Sequence, residues 1–134
     1  MNPKLPRAYR STRYAAEGVA VFVGRRSVAM DALLRRSGVR VGVFVTAWNP
    51  MSRRMPDGWN VRRQRALLER LRRLALLSGE GFWRGWQEAH VLVLADPARV
   101  RHLARTFRQA AVMVVRVGRA AGLEFIGIKP STGC

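Results

Sequence analysis

Apolar residues along this chain fall into two kinds of pattern: short runs that alternate or continue unbroken, and segments where they recur every three or four residues. The stretch AYRSTRYAAEGVAVFVG predicts two strands, at 8–15 and 19–24, turning at Glu17-Gly18. Ser27 is placed to cap a helix whose apolar stripe is Met30, Leu33 and Leu34 and whose stop is Gly38. A third strand is expected at 40–47 and a long helix at 60–77. The glycine-spaced SGEGFWRGW then leads into a fourth strand, AHVLVLA. Asp96-Pro97 suits the cap and first position of a further helix, in which Val100, Leu103, Ala104 and Phe107 have core spacing. AVMVVRV and LEFIGI close the series. The expected fold is α+β (mixed α/β), with an open mixed sheet of about six strands and three helices in the order ββαβαβαββ. A single domain over 1–134 is expected, with flexible ends at 1–7 and 127–134.

The third strand, GVFVTAW, is apolar on both alternating faces, as a central strand covered on each side should be. Its C-terminal end turns polar at Thr46 and Asn49, the sheet edge where α/β proteins place ligands. In the following helix Leu67, Leu68, Leu71, Leu74 and Ala75 define a buried stripe. Extended toward the N-terminus, that stripe takes in Asn60 and Gln64, one turn apart. Two inward amides need partners, because an unmet buried amide costs roughly 1 to 3 kcal/mol. Thr46 and Asn49 are the candidates closest in sequence, and a cluster of all four is expected at the strand end. Such a cluster has two readings. It is a loop anchor, with Asn49-Pro50 an ordinary turn and Asn60 an ordinary cap. Alternatively it borders an anion pocket formed by helix N-terminal amides with Ser52, Arg53 and Arg54.

Charge sharpens the second reading. Twenty-five basic residues stand against eight acidic ones, a net charge of +17, and all the basic residues but Lys4 and Lys129 are arginine. That excess attracts polyanions through salt-sensitive contacts, nucleic acid first among them. Arg62, Arg65, Arg70, Arg72 and Arg73 lie on the outward arc of the long helix. A merely solvated basic face, or a codon bias toward arginine, accounts for the same numbers. The first fifteen residues carry charges and two prolines in place of an apolar signal core, and no apolar run reaches the ~18 residues of a membrane span. A soluble, cytoplasmic protein without a membrane partner is expected. Cys134 is the one cysteine, so no disulfide framework is available. His90 and His102 show no metal-binding spacing, and no metal or cofactor is expected. There is no DxD or ExxE pair, nucleophile elbow, Walker loop or dinucleotide fingerprint, so no catalytic constellation is recognisable. Glu88 and His90 share a strand face, which suits either an acid–imidazole pair or a satisfied strand edge. Trp59, Trp83 and Trp86 flank the same loops and are candidates for base stacking or for packing.

The strings TAWNPMS, WNVRRQRALLERL, GWQEAHVLVL and RTFRQAAVMVV, with YRSTRY and GRRSVAMDALLRRSG upstream, together resemble the bacterial domain-of-unknown-function 3293 family across about residues 8–126. The family's motif falls on Thr46, Ala47, Asn49, Pro50, Ser52, Asn60, Arg63, Glu88 and Gln109; Gln64 and Ala110 stand where asparagines are commoner. The resemblance implies no established activity.

Two functional readings follow. The first is a basic binding module for nucleic acid or another polyanion, using Arg53, Arg54, Arg62, Arg65, Arg70 and Arg73. The second is a small-ligand or enzyme domain for a phosphorylated or nucleotide-like compound, with Thr46, Asn49, Ser52, Asn60, Arg63 and Glu88 around it. A protein partner in a larger assembly is a third, weaker reading. Arg63 is the expected ion-pair partner of Glu88.

Overall fold

Glu17-Gly18 and Arg84-Gly85 each place two successive residues at positive φ (51° and 76°; 47° and 80°), the backbone of a tight two-residue hairpin turn. The first joins β1 (Arg13–Ala16) to β2 (Val19–Val21); the second joins β4 (Leu76–Trp83) to β5 (Trp86–Val93). The computed structural model describes residues 11–126, so the ends expected to be flexible, 1–7 and 127–134, lie outside the described residues. Between and after the hairpins come α1 (Val28–Arg36), β3 (Val41–Val45), α2 (Asp57–Arg70), α3 (Pro97–Thr106), β6 (Ala111–Arg116) and β7 (Gly122–Phe125). The strands form one sheet in the order β2-β1-β4-β5-β3-β6-β7. Neighbouring strands pair antiparallel throughout. Among the described residues the architecture is thus three α-helices on an open α+β sheet, with seven strands where about six were expected.

The additional strand is β4, LLSGEGFW, which covers the expected end of the long helix and the glycine-spaced stretch expected to lead into the next strand. Its glycines are there because neighbouring groups occupy the space a side chain would fill. A Cβ on Gly79 would stand 2.9 Å from the Ala15 carbonyl oxygen and 3.2 Å from the Phe44 ring, and one on Gly81 would stand 2.9 Å from the His90 ring. Admitting β4 also shortens the long helix, which occupies Asp57–Arg70 rather than 60–77. Asn60 therefore lies in the first turn instead of capping it, and Asp57 supplies the acid that the positive end of the helix favours.

Local signals elsewhere act as expected. The Ser27 hydroxyl accepts from the Met30 N–H at 3.0 Å, and the Asp96 carboxylate accepts from the Ala98 N–H at 2.8 Å. Buried Asp31 accepts from the Gly118 N–H and from Arg26 Nε; the Gly118 bond is the chief reason its carboxyl lies below the usual range.

Both faces of β3 are covered. Val43 and Val45 join Leu67, Leu71, Val100, Ala104 and Phe107 beneath α2 and α3. Phe44 faces the other way, into a cluster with Tyr14, Val21, Leu34, Leu92, Met113 and Ala121. That second cluster draws side chains from both ends of the sheet, so the sheet must curl toward it. At one end the curl brings the outer strands together: Val23 and Ala121 form a parallel bridge, and the Gly24 N–H donates to the Ala121 carbonyl at 2.8 Å. The result is a half-barrel with α1 packed into part of its concave side.

The close approach at Gly79 makes a measurable contrast. Gly79→Ala should destabilise the fold by about 1–3 kcal/mol in denaturant unfolding, because the added methyl meets backbone and a ring. Gly122→Ala, with open space around its Cβ, should stay within about 0.5 kcal/mol of the parent. Equal effects would show that the β1–β4 approach is not tight.

Candidate functional site

Asn49 adopts a left-handed backbone (φ 46°, ψ 65°) shortly after β3, a conformation asparagine tolerates better than most residues. Its amide groups hold it there. The Asn49 N–H donates to Asn60 Oδ1 at 2.9 Å, and Asn60 Nδ2 returns a bond to Asn49 Oδ1 at 2.8 Å. Asn49 Oδ1 also accepts from the Met55 N–H at 2.9 Å, while Asn60 Nδ2 reaches the Met55 carbonyl at 3.1 Å. One turn along α2, Gln64 Oε1 accepts from the Ala47 N–H at 2.7 Å and from the Thr46 hydroxyl at 3.3 Å. The Thr46 hydroxyl lies 2.6 Å from the Ala89 carbonyl and accepts from the Trp48 N–H at 3.0 Å. All four polar residues expected at the strand end meet there, and all four are buried.

The cluster is also the rim of a cavity. On the concave side, beyond the part occupied by α1, lies an open-mouthed space of about 230 Å³. Its walls are aromatic: Tyr14, Phe44, Trp48, Trp83 and Trp86. Its polar lining includes Thr46, Asn49, Glu88, His90 and Gln109. Strand alternation explains the composition. Trp83 and Gly81 on β4 share a face, and so do Trp86, Glu88 and His90 on β5; the register sets Trp83 opposite Trp86 and Gly81 opposite Glu88. The Gln109 side chain closes the β6 side, donating to the Trp48 carbonyl at 3.1 Å. A second cleft of about 220 Å³ adjoins the first and shares Trp48, Asn49 and Trp86 with it. There Arg54, Asp57 and Asn60 provide a polar lining. The Arg54 guanidinium lies 4.6 Å from the centre of the Trp86 ring, within cation–π range.

Glu88 is the acid of the cavity. Its Oε1 accepts from Asn49 Nδ2 at 2.6 Å, so the residue that locks β3 to α2 also holds the carboxyl. Burial pushes the Glu88 pKa up, and the Asn49 bond offsets only part of that. The expected ion pair with Arg63 is absent. Arg63 lies on the other side of the sheet, its guanidinium 4.6 Å from the Phe107 ring and 5.7 Å from the Trp59 ring. The helical position that flanks the inward stripe points toward the α3 side of the core, whereas Glu88 faces the concave side. His90 has its ring edge-on to Tyr14 at 5.5 Å, with Nδ1 3.2 Å from the Glu88 carbonyl. Enclosure of the ring lowers its pKa to about 4, so the imidazole is neutral at physiological pH.

The other expected residues divide by place. Arg53, Arg62, Arg65, Arg70 and Arg73 are exposed and line neither cavity, and Arg54 alone of that set does. The side chain of Ser52 lies outside the described part of the structure. Trp59 packs under Arg63 rather than lining the cavity. Sequence reading did not anticipate Trp48, Tyr14 and Phe44 as lining of the cavity. Trp48 stands between the Thr46 and Asn49 signals, whereas Tyr14 and Phe44 become neighbours only through the curl of the sheet. The Trp48 indole N–H is buried without an acceptor among the described residues, an incomplete hydrogen-bond inventory beside the cavity. Among the described residues no three His, Cys, Asp or Glu side chains gather as a metal site, and no helix is long and apolar enough to cross a membrane.

A family model described as protein of unknown function (DUF3293) matches residues 45–112, a span that contains Thr46, Asn49, Asn60, Glu88 and Gln109. No curated protein and no solved structure matches the chain.

Asn60→Ala would leave the Asn49 N–H and the Met55 carbonyl without their side-chain partner. At about 1–3 kcal/mol for each buried unpaired group, the loss should be roughly 2–6 kcal/mol in denaturant unfolding. A loss below about 0.5 kcal/mol, the range of an ordinary surface substitution, would mean the cluster is not a structural lock.

His90 sets a pH dependence. Its folded pKa of about 4 lies below the ordinary 6.5, so between those values the unfolded chain binds the extra proton. Its contribution is therefore complete above pH 6.5 and is lost as pH falls toward 4, at about 1.4 kcal/mol per unit of depression. Melting temperatures measured across this window should fall with acidification, and His90→Phe should flatten that limb. An identical limb in the variant would show that His90 is not its source.

Proposed function

The chain belongs to the DUF3293 family, described as of unknown function, and from that premise we propose that it is a binding module for single-stranded nucleic acid whose concave-side cavity receives one base. One observation carries the reading: an aromatic cavity with a hydrogen-bonding acid shares its Trp86 wall with a polar cleft where Arg54 stacks on the same indole. A volume of about 230 Å³ is below the ~300–1,000 Å³ of pockets that enclose drug-sized ligands, and suits a single flat heterocycle. Aromatic side chains hold bases by stacking whatever their sequence, at about 1–3 kcal/mol per base. Arginine beside the stack supplies the phosphate contact; Arg84, 5.2 Å from the ring of Trp83, stands beside the cross-strand neighbour of Trp86.

The net charge of +17 favours the same class of partner, through counterion release along a strand. Arg53, Arg62, Arg65, Arg70 and Arg73 then act at longer range as a field that raises encounter rates and non-specific affinity. In this reading the module works in the cytoplasm. A second reading, an enzyme acting on a nucleotide-like compound, draws support from Glu88 alone, since a carboxyl raised by burial is what a general acid requires.

Fluorescence anisotropy with a labelled single-stranded RNA at low salt tests the proposal, with tryptophan quenching as the report from the cavity. Binding should weaken linearly in logarithmic salt concentration. Replacing Arg54 and Arg84 together by glutamine should lower the salt slope by about one for each phosphate left without its arginine. Arg70→Gln with Arg73→Gln should leave the quenching amplitude unchanged. No binding by the parent protein at low salt would overturn the proposal.

A further inference from the structure

Glu88 is distinguished among the acids of the described residues by its place, as the carboxyl that lines the aromatic cavity; like Glu17, Asp57, Glu80 and Asp96, it has no arginine ion pair among the described residues. Asp31, Glu69 and Glu124 each pair with an arginine, at Arg26, at Arg72, and at Arg101 with Arg116. Glu88, in a chain with 25 basic residues, has the Asn49 amide as its hydrogen-bond partner among the described residues. Its carboxyl lines the aromatic cavity, and its position is fixed because Asn49 is itself held by Asn60 and Met55. A carboxylate has about four lone-pair sites, and Asn49 Nδ2 occupies one. The remaining acceptor capacity sits between walls suited to a flat ring.

We propose, resting on the base-binding reading above, that Glu88 makes the cavity selective for guanine. Among the common bases guanine presents two adjacent N–H donors, the ring N–H and the exocyclic amine, on the edge that a carboxylate can grip with both oxygens. Adenine and cytosine place a ring-nitrogen acceptor beside their amine, and that lone pair faces an acceptor-only carboxylate unfavourably. Uracil flanks its single ring N–H with two carbonyl oxygens. The wrong base is penalised because the acid is partly withdrawn from water: a carboxyl that burial already disfavours as an anion gains most from a ligand that donates to it twice. A bidentate pair of this kind discriminates by about tenfold or more against a mismatched edge. Shared with Arg54 across Trp86, the site is then a guanine seat with a phosphate-binding neighbour.

The experiment compares GMP, AMP, CMP and UMP by tryptophan quenching, and an oligouridine carrying a single guanosine or a single adenosine by anisotropy. The expected result is tighter binding of the guanine ligand by about tenfold or more. A preference confined to the oligomers assigns the site to a strand, and one equally strong in the mononucleotides assigns it to a free nucleotide; both support guanine recognition. Glu88→Gln, whose amide offers one acceptor and one donor, should lose the guanine preference while circular dichroism stays unchanged. If that variant does not fold, the parent's ranking of the four bases decides. Equal affinity for guanine and adenine ligands in the parent, or an unchanged preference in a folded Glu88→Gln, overturns the inference while leaving base binding standing. Absence of binding by every ligand overturns base binding, and the inference with it.

Discussion

The exchange of hydrogen bonds between Asn49 and Asn60 is the constraint on which the site depends. A strand leaving the middle of a sheet must turn sharply, and here the turn puts Asn49 at φ 46°, where the backbone gains no ladder bonds. Its N–H and both ends of its side-chain amide are instead taken by Asn60, Met55 and Glu88. No other residue type offers this combination. Aspartate lacks the donor that holds Glu88, glutamine is one methylene too long for the same turn, and serine has no second hydrogen-bonding atom. One side chain therefore joins the end of β3, the first turn of α2 and the acid of the cavity, so a shift of α2 would be felt at Glu88.

The cavity has a different origin, in the curl of the sheet. β3 carries Val43 and Val45 toward α2 and α3 and Phe44 toward the concave side. The convex core is filled by two helices, whereas α1 covers only part of the concave surface. What remains is lined by residues that alternate onto one face of the β4–β5 hairpin. Gly79 and Gly81 keep that face low where Phe44 and His90 must lie, and Trp83 and Trp86 raise walls at the hairpin tip. Packing and site thus come from one two-residue periodicity, with glycine and tryptophan at its extremes.

This division explains what could be read in the sequence. Helix caps at Ser27 and Asp96 were legible because each depends on two or three adjacent residues. The inward turn of Asn60 and Gln64 was legible because it shares its period with Leu67 and Leu71. β4 was not, since Gly79 answers to Ala15 and Phe44, residues distant in the chain, and Gly81 to the His90 ring across a hairpin that the local pattern does not show. The pairing expected between Glu88 and Arg63 failed for a related reason. Helix phase shows that Arg63 borders the buried stripe, but not which side of the sheet that border overlooks. Glu88 and His90 were visible as a same-face pair, while the aromatic enclosure around them needed the curl.

Charge and site are linked by what the arginines do not do. An arginine inside the cavity would pair with Glu88, ionise it, and fill the space with a side chain of its own. The two that approach the walls instead lie over Trp86 and Trp83, at 4.6 and 5.2 Å, where a guanidinium keeps much of its hydration and its charge stays available to an anion. The interior is left with a raised carboxyl, a neutral imidazole and side-chain amides, none bearing a positive charge. A ligand that satisfied both zones would need an anionic part for the rim and an uncharged, donor-bearing plane for the interior. The high net charge would favour the first part and is indifferent to the second, so discrimination among such ligands would fall to the polar groups of the interior, the carboxyl of Glu88 among them.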